Sequence, residues 1–451
     1  MNIYQETTGT LLMKMKKNGR RDIDYISESM HELRQNQVEE GIFGFDSFTE
    51  NGSNAFASMG TALNSEKRDC IIWSINHYLN LNRHPKVIEK SIEATREFGT
   101  GCGTSAISGG MNLLHKKIEE RLSNWYNKGV MLFPTGFTAN MGTLAAICQE
   151  EDHVLIDSES HASIRDGIKL SPARRWIQFE HNSVEDIESQ LIASEQVCQG
   201  KIIVVLESAY SMSGDICPLD KVVKLKEKYD FLLFVDEAHS FGIYGQHGKG
   251  LSYHMGVLDG VDFLTSTFSK STASIGGFVA CDPKYLSYFQ WGSNAFAFQA
   301  CFSPADAGTI VAALDVLETE PEHAEVLHKK NIYMRKRLLS LGFDLGSSLS
   351  PIIPVYIADT EKLLKVCFDL YKNGVFSVPI SYPAVGIHEG RIRFIVNANH
   401  THEHIDKTVD LLNRMANKYD ILSGQKEMRE NGIIGKIQNS STTTSISRNF
   451  N

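Results

Sequence analysis

The chain has eight cysteines, at 70, 102, 148, 198, 217, 281, 301 and 367, and no two of them form a Cys-x-x-Cys pair. That spacing argues against a zinc site and against a disulfide framework. No metal is therefore expected, and a reduced, cytoplasmic setting fits best. Long hydrophobic runs are missing as well. None reaches the roughly 18 residues of a membrane span, and the N-terminus lacks the charged, apolar, small-residue order of a signal peptide. Positive charge is not in excess, with 45 Lys and Arg against 54 Asp and Glu for a formal net charge of −9. Nucleic-acid binders carry clustered basic charge, so no nucleic-acid partner is expected. The one basic cluster, Lys14-Met15-Lys16-Lys17 with Arg20 and Arg21, reads as a solvated helix face; a lipid substrate would leave a peripheral membrane role open to it. A P-loop is also absent, so Asp236-Glu-Ala-His239 is not a helicase box, and Gly248-Lys249-Gly250 lacks the residues that would complete one. Gly101-Cys-Gly-Thr-Ser-Ala106 loosely imitates a dinucleotide fingerprint, but it follows a helical stretch where that motif requires a strand.

A chain of 451 residues, 42% of them hydrophobic, is long enough for a large core and two or more subdomains. Residues 1–70 read as an N-terminal arm, with a charged helix over 23–40 and a Gly/Ser/Asn-rich connector over 41–64. Residues 71–315 alternate helical periodicity with β-rich runs at 129–133, 154–157, 201–206, 231–235, 261–265 and 276–280, the pattern of a mostly parallel α/β sheet. Residues 316–422 read as a smaller α+β domain, with helices over 323–340, 360–373 and 403–420 and strands over 352–356, 375–378 and 391–397. The tail, 423–451, is Ser/Thr-rich and too polar to pack, so it is expected to be disordered.

Ligands of open α/β sheets bind beyond the carboxyl ends of the strands. Three consecutive strand ends carry polar chemistry here: Glu207 to Ser211, Asp236 with His239, and Thr267 with Ser269 and Lys270. Lys270 supplies an amine able to form a Schiff base with an aldehyde. Asp236 supplies a carboxylate able to keep a pyridine nitrogen protonated. Together they point to pyridoxal 5′-phosphate (PLP). At about 3 Å and an effective dielectric of about 20, such a carboxylate–pyridinium pair attracts by roughly 5 kcal/mol before desolvation.

The sequence blocks around these residues are specific. They are Asn76-His-Tyr-Leu79, the glycine-rich 99–110 with His115 and Glu119, Pro134-Thr-Gly-Phe-Thr-Ala-Asn140, the Ser-His-Ala-Ser-Ile within 157–165, Tyr210-Ser-Met212, 235–240, and Thr267-Phe-Ser-Lys-Ser271. On these the chain, from about Asn76 to Leu412, resembles the α-oxoamine synthases. These are fold-type I PLP-dependent transferases of aspartate-aminotransferase-like architecture. Glu320-Pro-Glu-His323, Gly342 to Gly346 and Arg391-Ile-Arg393 with His400-Thr401 are most similar to bacterial serine palmitoyltransferases.

The resemblance implies roles. Lys270 would be the Schiff-base lysine and proton carrier, and Asp236 the partner of the ring nitrogen. His239 would meet the ring hydroxyl, with Ser211 beside it, and His161 would stack on the ring. The Gly136 and Phe137 amides with the Thr267 and Ser269 hydroxyls would hold the phosphate. Arg393 would bind the amino-acid carboxylate, and Asn76 would face the substrate. Family members are homodimers, so the segment 296–303 would reach the partner's site.

The implied reaction is a decarboxylative condensation of an amino acid with acyl-CoA or an acyl-carrier protein. Serine or cysteate with a long acyl chain is the leading reading, giving a product of sphingolipid type; glycine or alanine with a shorter donor is the alternative. A noncatalytic subunit and an aminotransferase are the remaining readings. Three departures bear on substrate choice. Ser105-Ala106 stands where many relatives have Ser/Thr-Arg, Gln299-Ala300 stands where Thr or Ser is common, and Ser381-Tyr-Pro-Ala384 lacks an Arg-Pro-Pro.

Overall fold

The computed structural model describes residues 22–39, 47–61 and 64–422, with Leu11, Met15 and Gly19. The basic residues at 14–21 and the Ser/Thr-rich tail lie outside the described residues. The strands, in chain order, are β1 (Ser47–Thr49), β2 (Phe56–Thr61), β3 (Asn64–Ile72), β4 (Gly129–Phe133), β5 (His153–Asp157), β6 (Arg175–Phe179), β7 (Ile202–Glu207), β8 (Leu232–Asp236), β9 (Phe263–Thr267), β10 (Gly277–Cys281), β11 (Ile352–Tyr356), β12 (Val375–Phe376), β13 (Pro379–Ile380) and β14 (Arg391–Ile395). The chain divides into two compact units. One runs from Asn76 to His328; the other joins the described residues up to Ile75 with those from Lys329 onward.

In the first unit a seven-stranded sheet has the order β4-β10-β9-β8-β7-β5-β6. Strands β5 to β9 run parallel, and β10 is antiparallel to both β4 and β9. β5, β7, β9 and β10 are buried along their whole length, which is why their apolar residues run consecutively, as in Val154-Leu-Ile156 and Ile202 to Leu206, without polar alternation. The core includes Ile156, Val205, Phe234, Phe263 and Val279, packed with Leu144 and Ile164 from the helices that follow β4 and β5. β6 is missing from the sequence reading. It is the edge strand, and Arg175, Trp176 and Gln178 are exposed, so it carries no apolar run to detect.

In the second unit β1-β2-β3-β12 form one sheet and β11-β14-β13 another. Trp73, just after β3, is fully buried. Its Nε1–H donates to Thr408 Oγ1 (3.0 Å), and its ring stacks on His400 at 3.8 Å. His400 Nδ1 accepts from the Asn397 N–H, so its Nε2–H donates to the Ile72 carbonyl at 3.0 Å. Burial lowers the His400 pKa to about 3, which keeps the ring neutral in that role.

Two expectations about the N-terminal region are corrected. The connector read over 41–64 contains β1, β2 and the start of β3. The arm read over 1–70 is not a unit of its own, because β3 pairs in parallel with β12 and so belongs with the C-terminal elements. The misleading signal is composition. β2, Phe56 to Thr61, is rich in small residues, with Ala57 and Met59 turned inward, and a Cβ on Gly60 would stand 2.6 Å from Phe48 Cζ, so the glycine serves close strand packing here.

Candidate active site

Most of the chemistry-bearing residues lie in the unit from Asn76 to His328. Asp236 ends β8, Thr267 ends β9 with Ser269 and Lys270 immediately beyond, and Ser211 lies in the turn after β7. His161 is the N-cap of the helix Ala162–Leu170, and Gly136 and Phe137 open the helix Gly136–Ile147. The sheet order sets β7, β8 and β9 side by side, so residues remote in sequence share one edge. Arg393 belongs to β14 in the other unit. Beside it Arg391 is buried and committed, donating to Tyr356 Oη (3.1 Å) and pairing with Glu389. Asn76 places its Oδ1 in a buried position with no hydrogen-bond partner among the described residues.

Asp236 is 4% exposed. Its Oδ1 accepts from the Ala238 N–H (2.8 Å), and its Oδ2 accepts from Asn140 Nδ2 at 2.6 Å. Asn140 is the hub that the sequence reading missed as a site residue. The same Nδ2 donates to Ser163 Oγ (3.0 Å), and its Oδ1 accepts from Thr265 Oγ1 (2.6 Å). Ser163 Oγ in turn stands 2.8 Å from His161 Nδ1, which also accepts the Ser163 N–H. The network is consistent only with a neutral His161 bearing its proton on Nε2. Burial, with Asp236 opposing and Lys270 assisting, lowers the His161 pKa, in agreement with that tautomer. Asn140 follows one turn after the glycine-phenylalanine pair, and its place at the end of the block Pro134 to Asn140 is the only signal the sequence offers.

His239 Nδ1 lies 2.7 Å from the Tyr78 hydroxyl. That hydrogen bond holds the imidazole in place. Glu207, at the end of β7, accepts the His161 N–H at 2.6 Å and is 3% exposed. Burial, followed by the negative charge of Asp236, pushes its pKa well above the ordinary carboxylate value.

A second cluster fixes the loop that carries Ser211. His181 Nδ1 and Asp157 Oδ1 are 2.9 Å apart, and His181 Nε2 and Asp215 Oδ2 are 3.2 Å apart. Burial works against the charged ring, but hydrogen bonds to Asp157 and then Asp215 prevail and hold its pKa up at about 10. Tyr210 packs edge-on against it at 4.4 Å, and the Tyr210 N–H donates to the Asp215 carbonyl.

The fit of these residues to PLP can be tested at the helix that follows β4. Thr135 caps it, accepting the Thr138 N–H at its Oγ1. Helix geometry leaves the first two amides, of Gly136 and Phe137, without an intrahelical acceptor. A Cβ on Gly136 would stand 2.4 Å from Thr267 Cβ and 2.7 Å from its Oγ1. Thr267 Oγ1 is 2.8 Å from Ser269 Oγ. Two amides and two hydroxyls therefore converge at a helix start, which suits a phosphate. The buried Asp236, the amine of Lys270 and the neutral imidazole of His161 complete a donor set suited to the pyridine ring.

This geometry is that of a fold-type I PLP-dependent transferase. Residues 68–412 match the aminotransferase class I and II family. The chain is 38% identical over 354 residues to serine palmitoyltransferase of Sphingobacterium spiritivorum, covering 78% of this chain and 88% of that one. It is 33% identical over 364 residues to 8-amino-7-oxononanoate synthase 1 of Bacillus velezensis, covering 80% and 92%. Among solved structures, serine palmitoyltransferase of Sphingomonas wittichii superposes with a TM-score of 0.83 at 26% identity over 89% of this chain and 100% of that chain. A lysine-to-alanine variant of the S. paucimobilis enzyme, holding PLP and myriocin, gives 0.83 at 27% identity over the same shares. The chain belongs to the class I and II aminotransferase family, and within it to the α-oxoamine synthases. It is a PLP-dependent acyltransferase. No helix among the described residues is long and apolar enough to cross a membrane.

Two outcomes follow from the site. Replacing Asn140 with Ala removes a charged hydrogen bond from Asp236, so the PLP dissociation constant should rise by about 10- to 100-fold; equilibrium titration of apoenzyme with PLP measures it. His181 has a folded-state pKa above its unfolded value of about 6.5. Its stabilisation is therefore complete below that value and is lost as pH rises toward 10. Urea midpoints should fall across that window in the wild type, and H181N should flatten the decline.

Proposed function

We propose that the chain condenses serine, or a close polar analogue such as cysteate, with a long-chain acyl thioester to give a 3-oxo sphingoid-type product. The observation that carries this reading is the greater likeness to serine palmitoyltransferases, in sequence at 38% identity and in structure at a TM-score of 0.83. A solved 8-amino-7-oxononanoate synthase from Francisella tularensis reaches 0.66. The curated sequences of that second name, at 30–33% identity, keep alanine or glycine with a shorter acyl donor as the competing reading.

Bound PLP supplies the electron sink that makes the α-carbon of the amino acid nucleophilic. The roles proposed for this chain's residues are those the family resemblance implies, and the chemistry of each side chain suits them. Asp236 keeps the ring nitrogen protonated, and Asn140 keeps Asp236 aimed. His161 would cover the ring face as a neutral imidazole, and His239 would hydrogen-bond the ring hydroxyl, with Ser211 beside it. The Gly136 and Phe137 amides, Thr267 and Ser269 hold the phosphate. Lys270 anchors the cofactor and moves the α-proton at Nζ. Arg393 receives the substrate carboxylate and Asn76 its polar groups. The reaction joins the α-carbon to the acyl carbonyl carbon and releases the thiol and carbon dioxide. The acyl carrier is CoA or a carrier protein. The chain works as a homodimer in the cytoplasm, with segment 296–303 completing the partner's site and a peripheral contact with the membrane that supplies lipid.

The purified holoenzyme, titrated with serine, cysteate, glycine and alanine, should change the visible spectrum of its cofactor with serine or cysteate at concentrations at least tenfold below those needed for alanine. The reverse preference would assign the competing reaction.

A further inference from the structure

Away from the cofactor residues, three side chains from separate elements converge on one point. His84 caps the start of the helix Pro85–Phe98, Glu320 follows the helix Pro304–Thr319, and His323 lies in the first turn of the helix Glu322–Ser340. His84 Nε2 stands 3.1 Å from Glu320 Oε2, and His323 Nε2 stands 3.4 Å from the same oxygen. The three ligand atoms all lie within 4.8 Å of one another. For a tetrahedral zinc ion with bonds near 2.0–2.1 Å, neighbouring ligand atoms are separated by about 3.3 Å. The two short separations observed match such an edge.

The helix that His84 precedes and the helix that Glu320 follows pack backbone to backbone, since a Cβ on Gly308 would meet Ala94 Cβ at 2.6 Å and the Lys90 carbonyl oxygen at 2.7 Å. The three side chains are partly exposed, at 15%, 21% and 30%. Glu320 and His323 line a cleft of about 490 Å³ that also presents His247, His254, His328 and Glu325. Solvent can therefore reach the remaining coordination position, as in open zinc sites built from two histidines and one glutamate. The set contains no thiolate, and nothing in the local sequence reveals it, because His84 is more than two hundred residues from its partners.

We propose that His84, Glu320 and His323 form a binding site for a divalent transition-metal cation of the zinc type, distinct from the cofactor site. The cation would replace the hydrogen bonds that the two imidazoles now share at Glu320 Oε2, with each ring binding through Nε2. Lys86 Nζ, 2.5 Å from Glu320 Oε1, is the competing positive charge. Loss of that ammonium favours the metal, which gives the site a signature that scattered surface histidines lack.

Chelator-treated holoenzyme should be titrated with zinc chloride by isothermal calorimetry, with cofactor absorbance and the unfolding midpoint as controls for folding. One zinc per chain is expected to bind. H323Q and E320Q should each weaken it at least tenfold, and K86A should tighten it severalfold. X-ray absorption of the one-zinc complex should show nitrogen and oxygen neighbours at about 2.0–2.1 Å. Two results would overturn the site: no saturable binding to the wild type, or binding that neither H323Q, E320Q nor K86A alters. If one variant fails the folding controls, the other two decide the matter with the same titration.

Discussion

The structure depends on one buried negative charge, the carboxylate of Asp236 at the end of β8. A carboxylate with 4% exposure is costly to ionise unless donors meet it. Here a backbone amide meets one oxygen and the Asn140 side chain meets the other. Burial and then the charge of Asp236 raise the pKa of the neighbouring acid, Glu207. The result is an environment that selects a cationic group, as a protonated pyridine ring would be. Asn140 also reaches His161 through Ser163, so the residues proposed for ring stacking and charge pairing share one hydrogen-bonded chain.

The fold holds that chain of contacts in register. β8 sits between β7 and β9 in the sheet, so Glu207, Asp236 and Thr267 end neighbouring strands. Antiparallel β10 brings Gly277 against the first helical turn after β4; a Cβ there would meet Gly136 Cα at 2.6 Å. The helix N-terminus and Thr267 are thereby pressed together, and their donors converge without any charged side chain. Beyond β5, the imidazolium of His181 between Asp157 and Asp215 sets the loop bearing Ser211. A net charge far from basic is no obstacle to phosphate binding when amides supply the positive ends of the dipoles.

Much of this was legible in the sequence because strand-end residues follow β-rich runs. The strands ending at Glu207, Asp236 and Thr267 are buried almost throughout, and their chemistry follows immediately in the chain. Less legible were features that depend on packing between distant segments. β6 escaped because an edge strand exposes its side chains. β1 and β2 escaped because small residues and glycine packed closely look like a linker. Asn140 and His181 were unread because a buried amide or imidazole has meaning only beside its partners, 96 residues away at Asp236 and 34 at Asp215. The His84, Glu320 and His323 cluster is hidden for the same reason.

The central claim is that Asp236, held by Asn140, keeps the cofactor's ring nitrogen protonated. The direct measurement is the ¹⁵N chemical shift of holoenzyme reconstituted with PLP labelled at the ring nitrogen, recorded between pH 7 and 8. A shift in the pyridinium range, moving to the neutral range in D236N, is the predicted result. A neutral-pyridine shift in the wild type would contradict the account.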